Sequence, residues 1–281
     1  MKKIFGVLLI VIGFIIALNA IGMTNTSQPV IKHEKQEITE FDKIIISART
    51  ANIEVETTTN SELTLEVKSD SNDIKVSKEE SGSTLTFNVE EPKGWFAFGK
   101  KSIKVIVSLP EAYKDTLDIS TNAGNISFSD ELHIQELVVR TTAGNIKDIS
   151  GEIEQVTIKS TAGNISGYDL ITTQTDIKAT AGNITFDGFT GSITGSNSAG
   201  NTNVDYNDVN GNVDFKSSAG NIKLTIPNPS FVLDAKVSVG DIKVDVPIML
   251  ESSSKQNYQG TVNDGLYTIN LSASAGNIKI E

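Results

Sequence analysis

The tripeptide Ala-Gly-Asn recurs through the second half of the chain at an almost constant interval. Its glycines are Gly124, Gly144, Gly163, Gly182, Gly200, Gly220 and Gly276. Copies from Gly124 to Gly220 follow one another after 18 to 20 residues, and Val239-Gly240-Asp241 is a degenerate copy. A period this regular indicates a repeat architecture, in which each unit buries its apolar face by stacking on its neighbours.

Each unit reads as a short strand, a turn and a second stretch of alternating residues. Glycine supplies a backbone conformation with positive φ at little cost, and asparagine can bond to the neighbouring backbone. A second glycine in several units, such as Gly151 or Gly191, indicates another corner, so one coil would hold two or three short strands. The predicted structural ladder of turns comprises Gly124, Asn125, Gly144, Asn145, Gly163, Asn164, Gly182, Asn183, Gly200, Asn201, Gly220, Asn221, Gly276 and Asn277.

Composition favours the all-β class. Aromatic residues make up only 6% of the chain, whereas there are 22 glycines, and many residues are Thr, Ser, Asn and Ile. These residues suit short strands and tight turns. We therefore predict an all-β fold, specifically a single-stranded, β-helix-like β-solenoid with repeats of about 19–20 residues, preceded by one N-terminal transmembrane helix. A left-handed solenoid and a repetitive sandwich are alternatives.

The N-terminus carries a long apolar segment. Met1-Lys2-Lys3 precedes residues 4–23, which contain no charge. About 20 apolar residues suffice for a helix to cross a bilayer. Because no basic residue follows until Lys32, the charge pattern favours an N-terminus inside the cell. We expect a single-pass protein of the cell membrane with an extracellular C-terminal domain. A cleaved signal peptide is the alternative, since Leu18-Asn19-Ala20 weakly resembles a cleavage site.

The chain divides into four predicted regions. Residues 1–23 form the transmembrane anchor (or signal peptide), residues 24–38 a polar stalk, residues 39–112 an irregular β region or cap, and residues 113–281 the repetitive β-solenoid. The end units of a repeat protein usually depart from the consensus because one face meets solvent. Residues 227–265 would accordingly cap the far end, before the copy at Gly276 adds a last coil.

The apolar anchor, the segment Ile106-Val107-Ser108-Leu109-Pro110 and the tandem Ser/Thr-Ala-Gly-Asn-Ile units resemble the bacterial putative-adhesin family of β-solenoid envelope proteins. The resemblance covers residues 38–281 and the anchor. It implies a surface-exposed repetitive domain and a role in the cell-envelope stress response. It supplies no catalytic residue to carry over, because fold alone does not define function.

Several kinds of site are excluded or disfavoured. The chain has no cysteine, which excludes disulfides, thiolate metal ligands and a lipoprotein anchor. A net charge of −11 and only two arginines, Arg49 and Arg140, argue against nucleic-acid binding. His33 and His133 stand in no catalytic motif, and the repeat places neutral Asn where calcium-binding turns use Asp. We predict no catalytic residue, no metal site and no cofactor.

Two features are candidates for contacts with partners. Trp95, Phe96 and Phe98 lie between glycines and beside three lysines, a composition that suits a membrane interface or a partner surface. The alternative is a hydrophobic plug at the end of the solenoid. The row of repeat asparagines either bonds internally and closes the turns or offers a ladder of amides to glycans.

These observations predict a non-enzymatic, membrane-anchored extracellular envelope protein that serves as an adhesin-like protein or scaffold in the envelope stress response. The expected partners are the membrane, through the N-terminal helix, and envelope proteins or cell-wall polymers. The alternative function is that of a cell-wall glycan-binding or carbohydrate-active β-helix protein.

Overall fold

The computed structural model describes residues 30–70, 73–90 and 103–281, and all regular secondary structure in these ranges is β-strand. The strands join in one continuous sheet system of 22 strands. This confirms the all-β class, and the stacking of the coils is solenoid-like. The predicted anchor at residues 1–23 lies outside the described residues. Within the described ranges, no helix has the length and apolar character needed to cross a membrane.

The strands of the first part of the chain are short and differ in direction. They are β1 (Val30–Glu37), β2 (Lys43–Ala48), β3 (Asn52–Thr58), β4 (Glu62–Ser69), β5 (Lys75–Ser81), β6 (Thr84–Glu90), β7 (Ile103–Pro110), β8 (Thr116–Ala123) and β9 (Ile126–Phe128). The central strands are longer, because each follows most of a coil. They are β10 (Leu132–Ala143), β11 (Ile146–Ala162), β12 (Ile165–Ala181) and β13 (Ile184–Ala199).

The last part of the chain returns to short strands. They are β14 (Thr202–Tyr206), β15 (Val213–Ala219), β16 (Ile222–Thr225), β17 (Phe231–Val239), β18 (Ile242–Val244), β19 (Met249–Ser253), β20 (Asn257–Val262), β21 (Tyr267–Ala275) and β22 (Ile278–Ile280).

The central coils stack in parallel with the repeat in register. Ile146 pairs with Ile165 and Ile165 with Ile184, so the chain returns to the same position after 19 residues. Glycines with positive φ bend the chain within a coil. In the coil that ends at Gly200, φ is positive at Gly188 (72°), Gly191 (128°) and Gly200 (130°). Short straight stretches between such bends allow each coil to enclose a core.

The core consists of columns of apolar side chains that point inward from successive coils. The isoleucine after the turn is buried in coil after coil: Ile53, Ile126, Ile146, Ile165, Ile184, Ile222 and Ile278. Burying each such side chain contributes about 1.5–3 kcal/mol. Phe189 links two further aromatic rings, with ring centroids 5.6 Å from Phe186 and 5.4 Å from Tyr206. Apolar packing at these inward positions therefore stabilises the stacking of the coils.

The coil that carries Gly276 is not the last one in space. Strand β21 lies between β15 and β17, and β22 lies between β16 and β18. The expectation of a last coil after residues 227–265 is therefore wrong: the C-terminal coil is inserted inside the stack. The physical gain is clear, since an internal strand pairs its backbone on both edges and an end strand pairs only one.

The N-terminal part is inserted in the same way. Strand β2 lies between β6 and β8, and β3 lies between β7 and β9. The described strands of the 39–112 region, β2 to β7, therefore belong to the same sheet system as the repeats. Strands β2 and β3 near the start of the described chain, and β21 and β22 at its end, are thus held between coils that the intervening sequence supplies.

Part of the predicted polar stalk is a strand of the sheet. Residues 30–37 of the 24–38 segment form β1, which pairs antiparallel with β4 from Val30–Ser69 to Glu37–Glu62. The sequence hides this strand because it lies at an edge, where half-buried positions such as Lys32 and Glu34 alternate with exposed ones and both kinds carry charged residues. Charged residues on an edge strand also discourage pairing with a further chain.

Glu281 fixes the C-terminal strand electrostatically. Its carboxylate accepts hydrogen bonds from Lys223 and Lys279, which lower its pKa from 4.5 to about 2. A lowered pKa stabilises the fold above pH 4.5, and the effect is lost as the pH falls toward 2. We expect Glu281→Gln to lower Tm slightly at pH 7, with a difference from the unchanged chain that shrinks between pH 4.5 and 2. Thermal unfolding across this range measures it, and a difference that does not depend on pH would contradict the assignment.

Candidate functional site

The repeat asparagines form a continuous hydrogen-bonded column, here called the asparagine ladder. In each step the backbone N–H of one asparagine donates to the side-chain Oδ1 of its neighbour in the stack, over 2.8–3.0 Å. In spatial order the ladder is Asn52, Asn125, Asn145, Asn164, Asn183, Asn201, Asn221 and Asn277, and the Asp241 amide donates to Asn277 at its end. The ladder therefore passes through the inserted C-terminal coil without a break.

Main-chain hydrogen bonds also join neighbouring turns, and their donors lie on the coil that supplies the Oδ1 acceptor of the asparagine ladder. The Gly144 amide donates to the Ala162 carbonyl and the Ile146 amide to the Asn164 carbonyl, each over 2.9 Å. Gly163 shows how close the turns lie: its φ is 139°, and a Cβ added there would stand 1.9 Å from the Gly144 carbonyl oxygen. Only glycine adopts this φ without strain and also leaves room for the carbonyl oxygen of the neighbouring turn.

The structure brings together all the predicted turn residues in one column. It adds Asn52 at one end of the asparagine ladder and Asp241 at the other. Asn52 begins the asparagine ladder although the sequence around it, Thr50-Ala51-Asn52, lacks the glycine that marks the other turns. Each ladder bond takes up one of the two lone pairs of an Oδ1 atom, so a glycan would compete with the ladder at Oδ1 and meet the Nδ2 donors beside it. Trp95, Phe96 and Phe98 lie outside the described residues, and their contact role stays a prediction.

A column of basic side chains runs beside the turns. Arg140, Lys159 and Lys178 occupy paired positions on β10, β11 and β12. They point outward because the residues before them, Val139, Ile158 and Ile177, are buried in the core. The column continues through Ser196 to Lys216 on the following strands.

These residues line a shallow groove of about 540 Å³, here called the cationic groove. It is lined by Ser120, Thr121, Asn122, Arg140, Thr141, Thr142, Lys159, Ser160, Thr161, Lys178 and Thr180. Within the part of the chain that the structure describes, Lys159 and Lys178 form no ion pair. Arg140 does pair with Asp118, whose side chain is 7% exposed. On a protein with a net charge of −11, the groove concentrates positive charge.

The sequence carries a signal for this groove in the position of the cations relative to the turns. Each cation stands four residues before a repeat glycine: Arg140 before Gly144, Lys159 before Gly163, Lys178 before Gly182, Lys216 before Gly220 and Lys236 before Gly240. A spacing tied to the repeat places these residues on one column, because equivalent positions of stacked coils lie side by side.

The described residues do not assemble a metal centre. Across 30–70, 73–90 and 103–281, no three or more His, Cys, Asp or Glu side chains come close enough together to hold a metal ion. His33 and His133 lie on different strands, β1 and β10, which are not paired with each other. The chemistry of the cationic groove is that of charge and hydroxyl donors, which bind anions.

Comparison with known proteins places this fold. A crystal structure of a putative adhesin from Bacteroides fragilis NCTC 9343 is similar at a TM-score of 0.54 and 14% identity, covering 90% of this chain and 97% of that one. A putative adhesin from Parabacteroides distasonis ATCC 8503 has a TM-score of 0.49 and 11% identity, covering 90% and 98%. At 14% identity the first of these likenesses concerns the fold alone.

No curated protein matches the chain. The sequence model of the Toastrack DUF4097 family matches residues 41–281, which include every strand from β2 to the C-terminus. The matched range also contains the whole asparagine ladder and the cationic groove. This chain therefore belongs to the Toastrack DUF4097 family.

Proposed function

We propose that this protein is a non-enzymatic, membrane-anchored component of the cell envelope that presents a stiff β-rod outside the cell for adhesin-like or scaffolding contacts. The observation that carries the proposal is the unbroken asparagine ladder from Asn52 to Asp241. A domain in which every coil is bonded to the next through side chain and main chain suits a rigid spacer or presenting surface. Within this proposal the domain is a single-stranded, β-helix-like solenoid with repeats of about 19–20 residues.

Two further observations support the proposal. The uncharged segment of residues 4–23 suits a membrane anchor with the domain outside. A solved structure with a similar fold, from Bacteroides fragilis, is described as that of a putative adhesin. A part in the envelope stress response rests on the family resemblance alone.

Cysteine labelling tests the anchoring and the topology, because the chain contains no cysteine of its own. Ser218 is exposed just before the turn at Gly220. We expect Ser218→Cys to react with a membrane-impermeant maleimide on intact cells. A cysteine inserted directly after Met1 should react only after the membrane is permeabilised.

Other labelling patterns would contradict the proposal. Protection of Ser218→Cys until permeabilisation would place the domain inside the cell. Recovery of the labelled chain in the medium, with a mass that lacks the first residues, would replace the anchor with a cleaved signal peptide. An unmodified chain carried through the same labelling reports the background reaction.

The alternative function, cell-wall glycan binding, is favoured by one specific observation, the cationic groove. A groove lined by basic and hydroxyl side chains suits an acidic polymer better than a neutral one.

A further inference from the structure

We propose that the cationic groove binds a linear polyanion that lies along the stacking axis of the coils. This inference rests on the proposed contact function and names its ligand class: a polymer that repeats an anionic group, either phosphodiester or carboxylate, along its chain. The sites of contact are Arg140, Lys159 and Lys178.

The arrangement of the cations selects a polymer over a single small anion. Arg140 pairs in register with Lys159, and Lys159 with Lys178, on adjacent parallel strands. Neighbouring strands are about 4.8 Å apart, so the three side chains leave the sheet side by side and do not converge on one point. Side-by-side cations match successive charges of an extended chain.

The walls of the groove supply the remaining donors. Ser120, Thr142, Thr161 and Thr180 line it beside the cations. A hydroxyl donates one hydrogen bond, and a lysine ammonium up to three, so each anionic group can meet a charge and a neutral donor together. These lining residues also make the groove polar, whereas a membrane-binding face would present exposed apolar or aromatic side chains.

Two acidic residues define how the charge is distributed. Asp118 forms ion pairs with Arg140 and with Lys43, whose Nζ lies 3.7 Å from the carboxylate. The charge of Arg140 is therefore partly neutralised. Asp176 lies two residues before Lys178 on the outward side of β12 and bonds to Gln174 over 3.3 Å. The unpaired charge is therefore centred on Lys159 and Lys178, and Asp176 opposes anion binding at the edge of the groove.

The groove can extend toward the C-terminal coils. Lys178 is followed in the column by Ser196 and then Lys216, which forms no ion pair with the described residues and has the exposed Asp214 two residues before it. A longer polymer would thus reach a fourth cation. Several weak contacts on one chain raise the overall affinity far above that of a single contact.

The experiment measures binding of the full-length chain, in nonionic micelles, to three fluorescently labelled polymers: poly(glycerol phosphate), polygalacturonate and neutral dextran. We expect binding to one or both polyanions and none to dextran, and the preferred polyanion identifies the anionic group. Binding should weaken as salt rises, because exposed charges are screened. Lys159→Gln/Lys178→Gln should weaken binding roughly tenfold at low salt.

Matched variants separate the groove from general charge. Lys147→Gln/Lys255→Gln removes two exposed lysines that do not line the groove and should leave the affinity unchanged. Asp176→Asn should strengthen binding a fewfold, because it removes the opposing charge. Equal losses in the two lysine variants, or no effect of Asp176→Asn, would overturn the groove assignment.

Competitors test the polymer itself. Glycerol phosphate monomer should compete far more weakly, per phosphate, than the polymer. Equal competition would reduce the groove to a site for single anions, and equally strong competition by micelles doped with an anionic phospholipid would assign it to a membrane surface; either result contradicts the proposal. Failure to bind either polyanion would also overturn it while leaving the proposed anchoring and topology intact, since cysteine labelling tests these separately.

Discussion

Gly163→Ala is expected to lower the free energy of unfolding by about 3 kcal/mol or more. The substitution places an alanine at a φ of 139°, and its Cβ would stand 1.9 Å from the Gly144 carbonyl oxygen. The positive φ strains an L-residue, and the contact forces two turn backbones apart. Because the turns of neighbouring coils are bonded directly, the distortion also weakens the asparagine ladder. Urea unfolding of the full-length chain, followed by circular dichroism, measures the loss.

Gly82→Ala provides a control with the same chemical change. Gly82 also has a positive φ, 59°, but an added Cβ meets nothing within 4 Å. Its substitution should cost only the conformational strain, about 1 kcal/mol. Equal losses at the two positions would show that the close approach of the turns contributes nothing to stability.

Removal of residues 267–281 is expected to release more of the structure than the coil that is deleted. Strand β18 pairs with β22 alone, and β17 loses its parallel partner β21. Residues 227–266 would then have no coil to stack on, while β10 to β13 keep their pairing. Hydrogen exchange followed by mass spectrometry should therefore show lost protection over 227–266 and retained protection over β11 and β12.

This outcome distinguishes an inserted coil from a sequential one. In a solenoid whose coils stack in chain order, the same truncation would remove only the last coil, and residues 227–266 would stay protected. Deletion of Glu281 alone removes its ion pairs with Lys223 and Lys279 but leaves β21 and β22 in the chain, so this control should lose a little stability and keep protection over 227–266. Protection over 227–266 in the truncated chain would contradict the observed strand order.

The repeat could be predicted from sequence because its signals are local. Glycine at the turn, isoleucine after it and hydroxyl residues before it report the conformation and burial of the residues that carry them. The stretch Thr84–Phe87 alternates polar and apolar residues and lies in β6, and the apolar run after Lys43 is typical of a strand and lies in β2. Such patterns reflect burial of the residues that carry them, which the sequence itself reports.

The order of the coils could not be predicted in this way. Every turn of the asparagine ladder carries a similar motif, so the sequence does not say whether Gly276 stacks on Gly240 or on Gly220. In the structure it contacts both. Strands β1 and β5 give little signal in the sequence, because they are edge strands rich in charge and an edge strand needs no buried face of its own.

The cationic groove is a property of columns, which exist only once the coils have stacked. Lys159 and Lys178 are 19 residues apart in sequence and look unremarkable there. Because the turn residues fix the backbone, the outward position four residues earlier is free to vary. A repeat of this kind can therefore display a chosen row of side chains without a change in its core.

We propose that the asparagine ladder builds the rod while the adjacent groove makes the contact. The affinity of Asn164→Ala for poly(glycerol phosphate) or polygalacturonate separates these two roles. This variant removes the Oδ1 acceptor of the Asn183 amide but leaves Lys159 and Lys178 in place. We predict stability lower by about 1 kcal/mol and an unchanged affinity for whichever polyanion the unaltered chain binds. Loss of that affinity in the folded variant would contradict the account, because it would place the ligand on the asparagine amides.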